Sequence, residues 1–458
     1  MKRSTGVMRQ MASRGFDADV GKLIFGTLSG RLISIAVLPL LTRLYSPDDF
    51  GILASYLAVL GIITVAACLR MDVAIPIAES EEHAINLLAL ALLALGTITL
   101  LATLLVLAIP GLMADWLGNP AIEPHLWLLP VGISLTGIYS VFQFWTTRMR
   151  RFGHIARTRV AQSALGAVTM LSLGWAGLVP FGLLLGNVLS IGAGGLGLAV
   201  GALRSEGAKA SLVSFANMRS ALRKYSKYPL VTAPEAILNV ASIQIPILMI
   251  SAYAGKEAGY LFLAFQLLSA PMLLVGSSVS QVFISRSAEA LESGSLPELT
   301  LETIKKLIFL GSGLICSLSF LLYHFSAMVF GPAWIRTGEI ALILAPWTLL
   351  TFVASPISTV LYVKRRNEIG LALQSFGLIL RVGMVYVACA HEVLPPVLAF
   401  VISGLIPIAT ALAVSMYYSG ITGKLILSAT KSSSIYLMIY VFCSVLFIIL
   451  NFVAGIMK

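Results

Sequence analysis

Residues 23–44 read LIFGTLSGRLISIAVLPLLTRL, and residues 369–390 read IGLALQSFGLILRVGMVYVACA. Each is an apolar run long enough to cross a bilayer, which takes about 20 residues. Each also holds an arginine well inside it, Arg31 in the first and Arg381 in the second. A cation at bilayer depth costs roughly 2.5–3.5 kcal/mol even on the lenient insertion scale. Such side chains persist when they face a water-filled cavity or an anionic partner. The two runs therefore point to a polytopic membrane protein with a positively charged interior that handles something negative.

The rest of the chain has the same character. Of 458 residues, 58% are hydrophobic and 11% are charged, against about 25% charged in soluble domains. Mean hydropathy is +0.94. A net charge of +11 suggests nucleic acid, but the basic residues sit in short loops between apolar runs, which is the positive-inside pattern of membrane proteins. Nucleic-acid binding is set aside on that ground. Residues 1–22 are polar and basic, and the run that follows is too long for a signal h-region, so the first span is expected to be retained. Cys68, Cys316, Cys389 and Cys443 fall in or at the ends of apolar runs with no pairing or metal spacing. They read as small hydrophobes.

Thirteen spans are expected, at about 22–44, 50–69, 85–109, 126–146, 159–179, 181–202, 230–252, 259–282, 304–329, 339–362, 369–390, 396–418 and 434–454. With a cytoplasmic N-terminus, 25 of the 31 Lys and Arg residues lie in inner segments and four in outer ones, and the C-terminus is outside. The domains follow as an N-terminal six-helix lobe, 1–202, a cytoplasmic amphipathic linker, 203–229, a C-terminal six-helix lobe, 230–418, and an additional membrane helix in 419–458. In the linker, Leu212, Phe215, Leu222 and Tyr225 recur at helical spacing among Arg219, Arg223, Lys224 and Lys227, as in a basic helix lying on the membrane surface.

An internal repeat supports the two lobes. Tyr45-Ser-Pro-Asp-Asp-Phe-Gly51 and Tyr253-Ala-Gly-Lys-Glu-Ala-Gly259 stand 208 residues apart, and Gln162-Ser163 and Gln374-Ser375 stand 212 apart. Arg150-Arg151 likewise match Arg365-Arg366. Six spans per half give the halves one topology, so a pseudo-twofold along the membrane normal would relate them, with a site between them near the midplane.

The polar residues within spans form stripes. Thr27, Arg31 and Ser34 share a helix face, at i, i+4 and i+7. The offset of 208 maps them onto Glu235, Asn239 and Ser242, so the two stripes are expected to face each other across a cavity. Arg31 lies about 14 Å deep and Glu235 about 6–8 Å from the cytoplasmic end, at about 1.5 Å per residue. Guanidinium forks onto phosphate oxygens, which makes pyrophosphate a natural partner for Arg31; the other reading is an internal ion pair with Glu235. Glu235 is either the site of a coupling proton or cation or a structural residue, and Pro229 and Pro234 make an irregular helix start there. Arg381 shares a face with Gln374. Arg70 and Asp72, at the inner end of the second span, read either as a gate or as an interfacial anchor pair. The histidines do not cluster, and no catalytic triad, metal-ligand spacing or phosphate-binding Gly loop occurs. Gly192, Gly194, Gly195 and Gly197 lie in an apolar helix and suit close helix packing.

Several blocks carry a family resemblance: Leu38-Pro39 through Phe50-Gly51, Arg70-Met71-Asp72-Val73-Ala74-Ile75-Pro76, Tyr228-Pro229 through Gly259-Tyr260, and Gly276-Ser277 to Gln281-Val282-Phe283. Over about residues 20–418 the chain resembles polysaccharide flippases of the O-antigen and exopolysaccharide branch of the multidrug/oligosaccharidyl-lipid/polysaccharide exporter superfamily. The resemblance implies an all-α fold of two six-helix lobes opening alternately to each side of a bacterial inner membrane. It implies an undecaprenyl-pyrophosphate-linked oligosaccharide as substrate, carried from the cytoplasmic to the periplasmic leaflet. It implies no enzyme activity and no cofactor, and a cationic cavity in which a first-span arginine matters, Arg31 being the matching position. Membrane lipids, a polysaccharide polymerase and a chain-length regulator are the expected partners. The family has twelve or fourteen spans where thirteen are counted here. The drug-exporting branch often has an acid in the first span where this chain has Arg31. The alternatives are a cation-coupled small-molecule antiporter of the same superfamily, a membrane oligosaccharide polymerase or ligase, and a scaffold for synthesis machinery.

Overall fold

The computed structural model describes residues 25–206, 211–272, 276–364 and 366–421. The described chain is helical, with no strand among these residues. The helices are α1 (Phe25–Leu44), α2 (Pro47–Ala67), α3 (Met71–Ala74), α4 (Glu81–Ala108), α5 (Pro110–Trp116), α6 (Leu128–Arg148), α7 (Phe152–Trp175), α8 (Phe181–Gly192), α9 (Gly194–Glu206) and α10 (Phe215–Lys224). They continue with α11 (Ala233–Tyr253), α12 (Gly255–Leu268), α13 (Ser277–Ser293), α14 (Leu296–Gly311), α15 (Ser317–Phe330), α16 (Ile335–Ile357), α17 (Val360–Val363), α18 (Asn367–His391) and α19 (Pro396–Ser419).

Ten stretches among the described residues are helical, long and apolar enough to cross a membrane, and the chain is an all-α polytopic membrane protein. Three of the thirteen expected spans are not among the ten. The stretch 159–179 lies in α7, whose first half carries Arg157 and Arg159 and so leaves too short an apolar remainder. The stretch 259–282 is divided, α12 ending at Leu268 and α13 starting at Ser277. The stretch 434–454 lies outside the described residues.

The helices form two compact units, residues 25–45 with 55–240 and residues 46–54 with 241–421. The boundaries fall inside α2 and α11. In unit 1 two tyrosines, Tyr45 after α1 and Tyr56 in the middle of α2, are buried with their hydroxyls used: Tyr45 donates to the Met170 carbonyl at 2.7 Å and Tyr56 to the Leu128 carbonyl at 2.8 Å. Glycine sets the closest helix contacts there. A Cβ on Gly166 would lie 2.6 Å from the Gly186 carbonyl oxygen, and one on Gly195 would lie 2.7 Å from the Tyr139 nitrogen. The glycines around 192–195 thus serve close packing of α8 and α9 on α6, as their sequence suggests.

In unit 2, Phe50 packs edge-on to Trp334 with ring centroids 4.9 Å apart. The starts of α2 and α12 cross at glycines. A Cβ on Gly51 would lie 2.3 Å from the Gly255 carbonyl oxygen, and one on Gly259 would lie 2.0 Å from the Pro47 carbonyl oxygen. Asp48 meets Lys256 at 3.8 Å. Every member of this crossing has its counterpart 208 residues away: 47 and 255, 48 and 256, 51 and 259.

The segment before α11 is held to unit 1. Asn86 on α4 donates to the Leu212 carbonyl at 3.1 Å and accepts from the Ser214 amide at 3.4 Å. Ser214 caps α10 by accepting from the Asn217 amide. Lys224 pairs with Glu79 at 2.6 Å, and the Tyr225 hydroxyl accepts from the Glu79 amide at 3.1 Å. The helix is amphipathic, and the face docked on unit 1 is not the whole of its apolar stripe. Ala221 and Tyr225 are buried, whereas Phe215 is 83% exposed and Leu222 is also exposed. Phe215, Arg219, Leu222 and Arg223 thus lie together on the opposite face.

Candidate functional site

Helix α1 rests on α7 through two glycines one turn apart. A Cβ on Gly26 would lie 2.5 Å from the Ala156 Cα, and one on Gly30 would lie 2.9 Å from the Ser163 hydroxyl. This contact fixes the rotation of α1 and leaves Thr27 exposed, with Arg31 and Ser34 half-buried. The Ser34 hydroxyl is turned back onto its own helix, donating to the Gly30 carbonyl at 3.1 Å.

A second arginine joins this face. Arg159 on α7 donates from Nη1 to the Thr27 hydroxyl, and its Nε reaches the Tyr139 hydroxyl at 3.4 Å. Thr27 therefore stands one helical turn from Arg31 and in hydrogen bond with Arg159. The sequence hid this pairing, because Arg159 reads as one of the positive-inside loop charges.

Glu235 and Asn239 lie in unit 1, and Ser242 in unit 2, since the unit boundary falls after Val240 within α11. The irregular start expected around Pro229 and Pro234 is present as a widened helical turn at Tyr228–Thr232. Glu235 follows directly after this turn, within the continuous helix that runs on to Tyr253.

Arg70 and Asp72 do not pair with each other. Leu69 and Arg70 both adopt left-handed backbone conformations, with φ 49° and 57°, which turns the chain sharply out of α2. Asp72 points inward instead. It is 5% exposed, and its Oδ2 accepts from the Ser140 hydroxyl of α6 at 2.5 Å, while Oδ1 has no partner. Arg148 gathers the turn that follows, donating to the carbonyls of Ile75 at 3.0 Å, Ala78 at 2.8 Å and Ser80 at 3.3 Å. The end of α2 is thus stapled to α6 by a carboxylate–hydroxyl bond and by one guanidinium.

Arg381 lies within unit 2 and is 7% exposed. Its guanidinium stacks on Trp347 and Phe400, 5.2 and 5.9 Å from the ring centroids, and donates to the Ser242 carbonyl at 3.3 Å. Gln374, seven residues earlier, is half-buried. Of the two arginines, Arg381 is enclosed, and Arg31 has the more open setting. No cluster of three or more His, Cys, Asp or Glu with metal-binding geometry occurs among the described residues. Cys68, Cys316 and Cys389 are free thiols.

Residues 40–339 match the family model described as polysaccharide biosynthesis protein. No curated protein matches the chain in sequence. Among solved structures, the lipid II flippase MurJ in an inward closed conformation aligns with a TM-score of 0.67 at 12% identity, covering 95% of this chain and 99% of its own. An inward-facing multidrug resistance MATE transporter of the MOP superfamily aligns at 0.61 with 17% identity, covering 90% and 96%. An outward-facing structure of such a transporter aligns at 0.56 with 16% identity, covering 91% and 96%. At these identities the likeness is one of fold, and it runs over nearly the whole of each chain. The family match spans well over half of the sequence, and the chain belongs to the polysaccharide biosynthesis protein family, with the fold of MOP-superfamily transporters.

Proposed function

We propose that the protein is a flippase for undecaprenyl-pyrophosphate-linked oligosaccharide, an O-antigen or exopolysaccharide repeat unit. It carries this substrate from the cytoplasmic to the periplasmic leaflet of a bacterial inner membrane by alternating access. The observation that carries the reading is the face of α1 and α7 on which Arg31 and Arg159 flank Thr27. Two guanidiniums there supply forked donors for the oxygens of a pyrophosphate. A lipid pyrophosphate does not cross unaided because its charge is costly in hydrocarbon. A cationic path shields the headgroup while the prenyl tail stays in lipid.

The family membership and the fold shared with a lipid II flippase support a lipid-linked substrate. The reciprocal crossing at 47–51 and 255–259 supports the internal duplication on which parallel-repeat transporters are built. Ser34, Glu235 and Asn239 belong to the same proposed path, with Glu235 as coupling site. Arg70 and Asp72 act at the gate, since Asp72 ties α3 to α6. A polymerase and a chain-length regulator would receive the product.

A second reading, cation-coupled export of a small molecule, is favoured by Asp72, a buried carboxylate with one oxygen unpartnered. Native mass spectrometry of the protein with undecaprenyl pyrophosphate separates the two. The flippase reading expects retention by the wild type and about a tenfold or greater loss in Arg31→Ala and in Arg159→Ala, as for a lost charged hydrogen bond. Equal retention by all three would remove these arginines from the substrate path.

A further inference from the structure

Helices α13 and α14 of unit 2 run back from a tight turn at Gly294 and Ser295 and leave a groove of about 300 Å³ between them. The polarity of the groove changes along its length. Nearer the turn it is lined by Arg286 of α13 and by Glu302 and Lys306 of α14. At about 1.5 Å per residue, Arg286 and Glu302 stand roughly 10–12 Å from the turn. Lys306 lies one helical turn deeper, but its ammonium reaches back toward the turn to meet Glu302 at 2.6 Å. Farther in, at roughly 18–22 Å from the turn, the walls are Val279, Val282 and Leu310. Phe283 and Leu307, 2% and 0% exposed, form the floor. Val282 and Leu310 are exposed at 54% and 42%, so the apolar end is open at the side.

These features match one kind of ligand. α14 opens the stretch Leu296–Phe330, which is long and apolar enough to cross a membrane, so the open apolar end faces hydrocarbon and the charged end lies toward the interface. An amphiphile with its chain inward has the same polarity. The sign of its headgroup follows from the lining. Two cations face one carboxylate, and that carboxylate is already engaged by Lys306. The Arg286 guanidinium is exposed on the other wall and forks readily onto phosphate oxygens. A zwitterionic headgroup would bring its own cation against Arg286. Basic sites between membrane helices take anionic lipid headgroups in this way, above all at the cytoplasmic leaflet, where the charge pattern of the sequence puts the turn between α13 and α14.

We propose that the groove between α13 and α14 is a binding site for an anionic phospholipid. Its phosphodiester sits on Arg286 and Lys306, and the first part of one acyl chain lies along Val279, Val282 and Leu310. The site is built entirely within unit 2, and it does not depend on the identity of the transported molecule. Binding to the folded state alone stabilises that state by mass action.

The test is native mass spectrometry of the full-length protein in detergent, with phosphatidylglycerol or phosphatidylcholine of the same acyl chains added. The wild type is expected to retain phosphatidylglycerol in preference to phosphatidylcholine. Arg286→Gln is expected to weaken that retention about tenfold, as for a lost charged hydrogen bond. Leu310→Trp, which fills the apolar end and leaves the charges in place, is expected to weaken it as well. Arg31→Ala, the variant that tests the transport reading, is expected to retain phosphatidylglycerol in full. Equal retention of the two lipids by the wild type overturns the proposal, and this arm needs no variant to fold. Preference kept by Arg286→Gln overturns it, because the headgroup then sits elsewhere. Preference lost in Arg286→Gln but kept in Leu310→Trp overturns the groove as the seat of the chain. Undecaprenyl pyrophosphate held in place of phosphatidylglycerol, and lost with Arg286→Gln, overturns it too, since the groove then belongs to the substrate path.

Discussion

Arg31 is the residue on which the functional reading turns, and it was legible because a guanidinium inside an apolar run has few benign explanations. Arg159 was not legible. It sits among five basic residues between 147 and 160, and only the fold, by setting α7 against the glycine face of α1, brings it to Thr27. The two arginines give separable expectations in cells dependent on this protein for surface polysaccharide. Arg31→Ala should abolish surface polysaccharide while the protein still accumulates in the membrane. Arg31→Lys should restore only part of it, because an ammonium lacks the planar fork. Arg159→Gln should give a partial loss, since the shorter amide keeps a polar side chain at Tyr139 but reaches Thr27 with neither a donor nor a charge. Gel analysis of surface polysaccharide beside an immunoblot of the membrane fraction reads all three, and full polysaccharide in Arg31→Ala would remove it from the path. Glu235→Gln belongs at the same scale: transport by this variant should lose its dependence on an ion gradient, and unchanged dependence would reduce Glu235 to a structural role.

At the scale of elements, the crossing of α2 with α12 makes a sharp demand on glycine. The atoms that a Cβ on Gly51 or Gly259 would strike are backbone oxygens at 2.3 and 2.0 Å, so no rotamer change relieves the clash. Gly51→Ala and Gly259→Ala should each cost about 1–3 kcal/mol, the usual range for overpacking. Gly255→Ala, whose Cβ would meet nothing within 4 Å, serves as the control with little effect. Thermal melts of the three purified variants decide this, and an unchanged Gly259→Ala would mean that the crossing relaxes freely. The repeat that places these glycines 208 residues apart was readable. That its two copies pack on each other was not, because sequence offset carries no information about contact.

The tether of α10 is a second element-scale case. Its helical periodicity was plain in the sequence, and of its apolar stripe Tyr225 is buried while Phe215 and Leu222 are exposed; that a different face, with the small Ala221 and the hydroxyl of Tyr225, docks on the neighbouring helices was not readable. The hydrogen bond and charge of Lys224 hold the Glu79 carboxyl below its ordinary value of 4.5, and Glu79 holds the Lys224 ammonium above its ordinary 10.5. The lowered carboxyl contributes fully above 4.5 and is lost as pH falls through its depressed value. The raised ammonium contributes fully below 10.5 and is lost as pH rises through its elevated value. Protection factors for the amides of residues 215–225, which divide out the pH dependence of intrinsic exchange, should therefore be flat between these limits and fall outside them. Lys224→Gln should remove both edges, and edges that survive in this variant would exclude the ion pair as the tether.

Over the whole molecule, composition and span length gave the class with little ambiguity, since no soluble core absorbs this much apolar surface. Counting spans was less secure for a physical reason. Hydropathy windows record how apolar a stretch is, and neither the charged first half of α7 nor the break between Leu268 and Ser277 alters a window average enough to reveal itself. The compact units divide inside α2 and α11, whereas the sequence points to the polar segment at 203–229, because connectivity and packing need not part at the same residue. Among the described residues, ten helices are long and apolar enough to cross a membrane, and together with the family match and the shared transporter fold they support the proposed transport of a lipid-linked substrate. The most direct test is translocation of a fluorescent undecaprenyl-pyrophosphate saccharide in proteoliposomes, wild type beside Arg31→Ala. The account predicts movement of the saccharide between leaflets by the wild type and none by the folded variant. Equal movement by both, or none by a folded wild type that instead exports a small cation, would contradict it.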